Sequence, residues 1–280
     1  MACQGTAGPD PDDRPANRKQ PLRAFRSWLR MIDLREIYDA LTGTEFFLEY
    51  QPIVALEDGR WSGVEALIRW QRPTGLVMPS DFIPLAENTP LSGLITYWVI
   101  ERVADELGAW LKANDDLFVS INVPPEILGR GGLEYASQKS GLRELSRQVV
   151  LEITERGIPD QMGAEALELI PQYSSARIAL DDVMLNGANI AVLSRLTFDF
   201  VKIHPELVQQ IDRSNPAPPW LSHLSDLQRS APLQLIAEGI ENSAQAEALK
   251  QSGIQMGQGF FFSRPKRFEQ LLRPSSRTTR

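Results

Sequence analysis

Eight polar residues stand at or near the ends of short apolar runs: Glu65, Asn122, Glu152, Asp181, Asp182, Lys202, Glu238 and Gln258. From Asn122 onward the runs that carry them succeed one another at 20 to 36 residues, the length of one strand–helix unit. In a parallel sheet such ends meet on one rim. Five carboxylates, two amides and one amine would then share a mouth. Five carboxylates cannot stay ionised together unpaired, because repulsion raises their pKa values and expels charge. A hard divalent cation resolves this, and an all-oxygen donor set suits Mg²⁺ or Mn²⁺ better than zinc. Adjacent Asp181 and Asp182 could reach two ions from one strand end, the arrangement that clamps both oxygens in a phosphoryl displacement.

Each acid alone has a plainer account. Glu152 could be a rim ion pair, and Asp-Asp after a strand is a frequent helix N-cap. Seven strand ends in order carrying such groups is the stronger signal. Other chemistries lack their residues. The only histidines are His204 and His223, the only cysteine is Cys3, and no G-x-S-x-G, P-loop or G-x-G-x-x-G pattern occurs. Lys202 could form a Schiff base as in an aldolase. An acidic cluster would keep its amine charged, which suits it instead to positioning water or steadying developing negative charge.

The elements that must position these groups follow from periodicity. Residues 177–203 read as a strand (Ile178 to Leu180) stopping on Asp181-Asp182, then a loop, a helical turn (Ile190 to Leu196) and a strand (Phe198 to Ile203). Upstream, Phe46 to Val54 and Trp61 to Trp70 form a hairpin through Glu57-Asp58-Gly59. Helices at Leu91 to Lys112, near Ser140, Ala164 to Tyr173, near Trp220 to Gln228 and Ala244 to Gln251 alternate with strands. Those strands are Phe118 to Val123, Val149 to Thr154, Leu233 to Ala237 and Gln255 to Gly257. About eight strands over some 230 residues make an α/β chain of the (β/α)8 TIM-like barrel class with one antiparallel strand at the start. A doubly wound open sheet is the runner-up.

The expected organisation is a disordered polar tail at 1–21, an amphipathic leader helix at 22–42, the barrel at 43–273 and a frayed tail at 274–280. The leader's Arg23, Arg26 and Arg30 fit solvated positions better than a membrane-seeking face. Of 280 residues, 42% are apolar and 23% charged, ordinary for a globular chain. A net charge of −7 argues against a nucleic-acid partner. No apolar run is long enough for stable membrane insertion, and no secretory h-region opens the chain, so the cytoplasm is the expected compartment.

Glu65-Ala66-Leu67 followed by Ile68-Arg69-Trp70 resembles the signature of the EAL domain family of cyclic di-GMP phosphodiesterases. Its neighbours agree: Tyr50 to Val54 (YQPIV), Asp81 to Glu87 (DFIPLAE), Ser120 to Leu128 (SINVPPEIL), Leu151 to Glu155 (LEITE), IALDD, FVKI, Ile236 to Glu241 (IAEGIE) and Gly257 to Pro265 (GQGFFFSRP). The resemblance implies the same barrel and hydrolysis of cyclic di-GMP to linear pGpG at a two-ion Mg²⁺ or Mn²⁺ site. It implies metal ligands at Glu65, Asn122, Glu152, Asp181, Asp182 and Glu238. Catalytic roles fall to Lys202, which would orient the attacking water, and to Glu238 and Gln258. Substrate contacts fall to Gln51 (guanine), Arg69 (phosphate) and Glu241, and Glu155 would anchor the loop after the paired aspartates. A homodimer is the assembly the resemblance makes available.

Two departures stand out. Where the family carries D-D-F-G-T-G-Y-S-S, this chain has Asp181-Asp182-Val183-Met184-Leu185-Asn186-Gly187-Ala188-Asn189. Where the family's K-I-D run has aspartate, this chain has His204. Neither removes a ligand. They bear on rate and activation, and they motivate an alternative in which a catalytically impaired module serves as cyclic di-GMP receptor or protein-interaction domain.

Overall fold

In a computed structural model of the chain, residues 32–154, 161–184, 197–224 and 233–272 can be described. Contacts divide the chain into Met1–Asp33 and Leu34–Arg280, and the second unit carries the fold. The tails expected at 1–21 and 274–280, most of the leader helix, the turn at 190–196 and most of the loop at 183–189 lie outside the described residues. Of the leader, a helix α1 (Leu34–Thr42) is described.

Among the described residues nine strands form one sheet: β1 (Phe46–Ala55), β2 (Trp61–Arg72), β3 (Gly75–Val77), β4 (Phe118–Asn122), β5 (Val149–Thr154), β6 (Arg177–Val183), β7 (Phe200–Ile203), β8 (Gln234–Ala237) and β9 (Met256–Gly257). Their order is β1-β9-β8-β7-β6-β5-β4-β2-β3, and β1 also pairs with β2, so eight strands close into a barrel and β3 hangs from β2 as a flap. β1 is antiparallel to both its neighbours, and the other barrel pairs are parallel. This is the TIM-like barrel with one antiparallel strand. The β1–β2 turn uses Gly59 at φ 72°, a left-handed position that suits glycine.

Side-chain alternation explains how the polar groups gather. Ile53, Phe118, Val150, Ala179, Phe200, Ile236 and Met256 form one buried cluster with a member from each of seven barrel strands. Two residues along each strand, side chains return to the same face. Val150 thus leads to Glu152, Ala179 to Asp181, Phe200 to Lys202, Ile236 to Glu238 and Met256 to Gln258, while the antiparallel β1 runs from Ile53 back to Gln51. The barrel is therefore filled by an apolar layer and, one step nearer the carboxyl ends, a polar one. Arg177 stacks on the rings of Phe118 and Phe200 at 4.9 and 5.0 Å near the opposite end. The out-facing alternates, among them Ile178, Leu180, Val201, Ile203 and Leu235, pack in the core shared with the surrounding elements.

Around the barrel run α2 (Pro79–Ala86), α3 (Pro90–Ala113), α4 (Gly132–Ser140), α5 (Gln161–Tyr173), α6 (Pro205–Val208), α7 (Ser243–Gln251) and α8 (Phe268–Leu271). α3 starts sharply because the Thr89 side chain accepts from the Leu91 N–H and Pro90 sits where no N–H is needed. The flap β3 and helix α2 were not expected from periodicity, since the DFIPLAE segment carries an internal Pro84 and too few turns to show a period.

One sequence expectation is corrected. The strand at 178–180 does not stop on the paired aspartates but runs through them to Val183. Leu180 pairs with Val201 and Val183 with Ile203, so Asp181 and Asp182 together stand opposite the single residue Lys202. This is a β-bulge, and Asp182 adopts φ 59° to make it. Two adjacent carboxylates would otherwise point to opposite faces of the sheet.

Candidate active site

Lys202 is the hub of the polar layer. It is 1% exposed, and its Nζ lies 2.9 Å from Glu238 Oε1, 3.0 Å from Glu152 Oε2, 3.1 Å from Asp181 Oδ1 and 3.4 Å from Glu65 Oε2. Burial opposes its charge, but Asp181, Glu152, Glu238 and Glu65 outweigh burial and hold the ammonium well above the ordinary lysine range. A Schiff-base role needs a neutral amine, and this surrounding disfavours it.

Glu65 is supported by neutral donors. Asn122 Nδ2 donates to its Oε1 at 3.0 Å and Gln258 Nε2 to its Oε2 at 2.7 Å. Burial pushes its pKa up, yet the Lys202 charge and these two amides prevail and leave it below the usual glutamate range. Gln258 Nε2 also reaches Gln51 Oε1 at 3.1 Å, and Gln51 Nε2 donates to the Ser263 carbonyl at 3.0 Å. The β9 end is pressed against the loop after β8. A Cβ on Gly259 would stand 2.2 Å from the Ile240 carbonyl oxygen, so only glycine fits.

Across the mouth, Asp181, Asp182 and Glu238 offer oxygens that all lie within 4.8 Å of one another. Burial, partly offset by Lys202 and reinforced by Asp181 and Glu65, pushes Glu238 up to about 8. Asp181 is raised by burial, against the pull of Lys202. Glu152, fully buried between the two sides, is raised well above the usual range by burial and by Glu65. Its Oε1 has no hydrogen-bond partner among the described residues.

Seven of the strand-end groups thus converge: Glu65, Asn122, Glu152, Asp181, Lys202, Glu238 and Gln258, with Asp182 at the edge of the cluster. Arg69 lies further along the Glu65 face of β2, is buried, and donates from Nε to Glu49 Oε2 at 2.8 Å and from a terminal nitrogen to the Ile68 carbonyl at 2.9 Å. Glu241 is not one of the buried group; it is exposed, and its backbone N–H donates to Gln245 Oε1. Glu155 lies outside the described residues. His204 follows Lys202 by two residues, and its Nε2 is 3.9 Å from Asp182 Oδ1.

The sequence did not reveal the partner of Arg69 or the cleft beside Glu65. Glu49 lies two residues from Gln51 on β1, so strand alternation was the available signal. The cleft, about 770 Å³, is bounded by Glu65 to Ile68, Asn122 to Glu126 and the facing sides of α2 and α3. That size matches small-molecule sites.

The donor set fits divalent cations. Five carboxylates face one amine, Glu152 Oε1 has no donor among the described residues, the Asp181–Asp182–Glu238 group shares the single Lys202 ammonium, and every candidate ligand atom is oxygen. Among the described residues no helix is long and apolar enough to cross a membrane.

Residues 34–265 match the family model described as EAL domain. A protein named probable cyclic di-GMP phosphodiesterase PdeB from Escherichia coli K12 is 32% identical over 247 residues, 85% of this chain and 46% of that protein. The bifunctional diguanylate cyclase/cyclic di-GMP phosphodiesterase MucR of Pseudomonas aeruginosa is 31% identical over 245 residues, 85% of this chain and 36% of that protein. The chain spans less than half the length of these curated relatives. Among solved structures, a PaMucR phosphodiesterase in complex with c-di-GMP superposes with TM-score 0.75 at 30% identity, covering 85% of this chain and 99% of that one. The EAL enzyme Bd1971 in its cAMP- and cyclic-di-GMP-bound form gives TM-score 0.76 at 29% identity, covering 89% and 69%.

Proposed function

The chain belongs to the EAL domain family, and from that membership we propose that it hydrolyses cyclic di-GMP to linear pGpG in the cytoplasm, using two Mg²⁺ or Mn²⁺ ions. The observation that carries this reading is the convergence of Glu65, Asn122, Glu152, Asp181 and Glu238 around the buried Lys202, with Asp182 beside them. Relatives named as cyclic di-GMP phosphodiesterases support it.

In this reading Glu65, Asn122, Glu152 and Asp181 hold one cation, and Asp181, Asp182 and Glu238 the other. Such ions polarise a scissile phosphate and acidify the attacking water. The chain's own groups do the rest. Lys202 keeps its proton and orients the water by donating to it. Asn122 and Gln258 fix the Glu65 carboxylate, so that a ligand oxygen is in place before any cation arrives. Gln51, pinned by Gln258 and the Ser263 carbonyl, presents an amide to a guanine edge. Arg69, held by Glu49, supplies positive charge to a phosphate. The cleft between β2, α2 and α3 takes the base that leads away from the metals.

A second reading rests on the departure from the D-D-F-G-T-G-Y-S-S pattern after Asp182. In it the module binds cyclic di-GMP without turning it over. The deciding experiment follows pGpG formation by the purified chain with Mg²⁺ or Mn²⁺, beside Glu65→Ala and Asp181→Asn. Product from the unmutated chain alone is the expected result. Binding of cyclic di-GMP with no product makes the module a receptor, and equal turnover in both variants sinks the proposed site.

A further inference from the structure

His204 does two things with one ring. It caps α6, its Nδ1 accepting the Glu206 backbone N–H at 3.2 Å. Its other nitrogen, Nε2, faces Asp182 Oδ1 at 3.9 Å. The first contact fixes the meaning of the second. An Nδ1 that accepts has no proton, so the neutral ring carries its hydrogen on Nε2, the atom turned to Asp182. That nitrogen is a donor aimed at a carboxylate. It cannot offer a lone pair to a cation without giving up the cap.

The backbone makes the same connection. The His204 N–H donates to the Val183 carbonyl at 3.2 Å, directly after the bulge. His204 therefore holds the bulged segment by its main chain and places its ring beside Asp182. Asp182 needs such a grip. It sits at φ 59°, and its side chain is 30% exposed against 11% for Asp181 and 14% for Glu238. Of the three carboxylates in that group it is the most exposed, and Lys202 contacts the other two.

We infer that His204 is a positioning residue for Asp182: its Nε2–H orients the Asp182 carboxylate toward the Asp181–Asp182–Glu238 cation site. The 3.9 Å separation is about 1 Å beyond a hydrogen bond, so the inferred contact requires the partly exposed Asp182 carboxylate to rotate toward the ring. This inference rests on the two-cation reading of the site. Partners that orient metal ligands typically contribute about 10–100-fold in metal affinity, and an exposed pair belongs at the lower end.

The two jobs of the ring can be separated. Asparagine is among the best N-caps, so His204→Asn keeps an acceptor for the Glu206 N–H, but its side chain is too short to reach Asp182. Glutamine is longer and returns an N–H to the vicinity of Asp182. Mn²⁺ binding to the purified full chain, read as free Mn²⁺ by EPR, distinguishes them without any turnover. The expected result is about tenfold weaker binding of one Mn²⁺ in His204→Asn, an unchanged melting temperature, and recovery of most of the affinity in His204→Gln. Unchanged or tighter binding in His204→Asn overturns the inference and leaves the ring a helix cap. Weakening in both variants alike overturns the donor role in favour of the imidazole itself as ligand. If the unmutated chain binds no Mn²⁺, the cation reading fails and the inference with it.

Discussion

The two sides of the barrel mouth hold the same kind of group in opposite conditions. On one side Glu65 is buried, yet each oxygen has an amide donor, and its pKa lies below the usual glutamate range. On the other, Asp181 and Glu238 share a crowded space with Asp182, and burial raises both, Glu238 to about 8. Lys202 touches both sides at 2.9–3.4 Å, so proximity to the ammonium does not separate them. The amides do. Neutral donors build a preorganised anion at Glu65, whereas the Asp181–Asp182–Glu238 side is left incomplete until positive charge arrives.

Removing the shared cation should break both sides at once. Lys202→Met leaves buried carboxylates without their partner, a change that typically costs about 3–5 kcal/mol. Unfolding in urea with EDTA at pH 7 should show that loss, and turnover should fall by about 10²–10⁴-fold, the range of a lost positioned proton donor. A variant as stable as the unmutated chain would mean that the acids are already neutral and the ion pairs are not what holds the mouth together.

Isosteric amides then separate the sides by sign. Glu65 has a depressed pKa, so its contribution is present above its unfolded value near 4.5 and lost as the pH falls through its folded value. Glu65→Gln sets one amide against others and should destabilise the metal-free chain at pH 7 by about 1–3 kcal/mol. Glu238 is raised from 4.5 to about 8. The folded state then holds the extra proton between those values, and stability falls as the pH rises across that window. Glu238→Gln should therefore stabilise the metal-free chain at pH 8 by at least about 1 kcal/mol, the worth of roughly one pK unit, with little effect near pH 4.5. Lys202 stays charged in both states throughout this window and does not alter the sign. Thermal or urea unfolding in EDTA at both pH values reads the outcome. Shifts of the same sign in the two variants would erase the difference between the sides.

Sequence reading reached one side more fully than the other. Glu65, Asn122 and Gln258 lie on regular ladders or just beyond them, where strand alternation projects a residue into the barrel from its position alone. The Asp181–Asp182 pair required a bulge. A bulge is a property of the pairing between two strands, since it is defined by Leu180 facing Val201 and Val183 facing Ile203. No period within residues 177–183 encodes it, and ending the strand at Leu180 was the natural error. The cleft beside Glu65 was hidden for a related reason. α2 is eight residues long with a proline inside, and its role depends on lying across from α3. Strand order and barrel closure were legible because each strand carries its own apolar run. Arg69 was legible as a cation, but its partner Glu49 lies on β1, 20 residues away in sequence.

The bulge itself supplies the smallest test of the comparison, because it belongs to one side only. Asp182 occupies φ 59°, where a Cβ is unfavourable by about 1 kcal/mol and glycine is at ease. Asp182→Gly and Asp182→Ala both remove the carboxylate, so both should lose the same share of cation binding. They should differ in stability. The glycine variant should exceed the alanine variant by about 1 kcal/mol, a shift of about 2–4 °C in Tm for a chain of this size. Equal stability would mean that residue 182 leaves the left-handed region once its carboxylate is gone. The bulge would then be held by the aspartate's own side chain, which faces His204, and not by the pairing of β6 with β7.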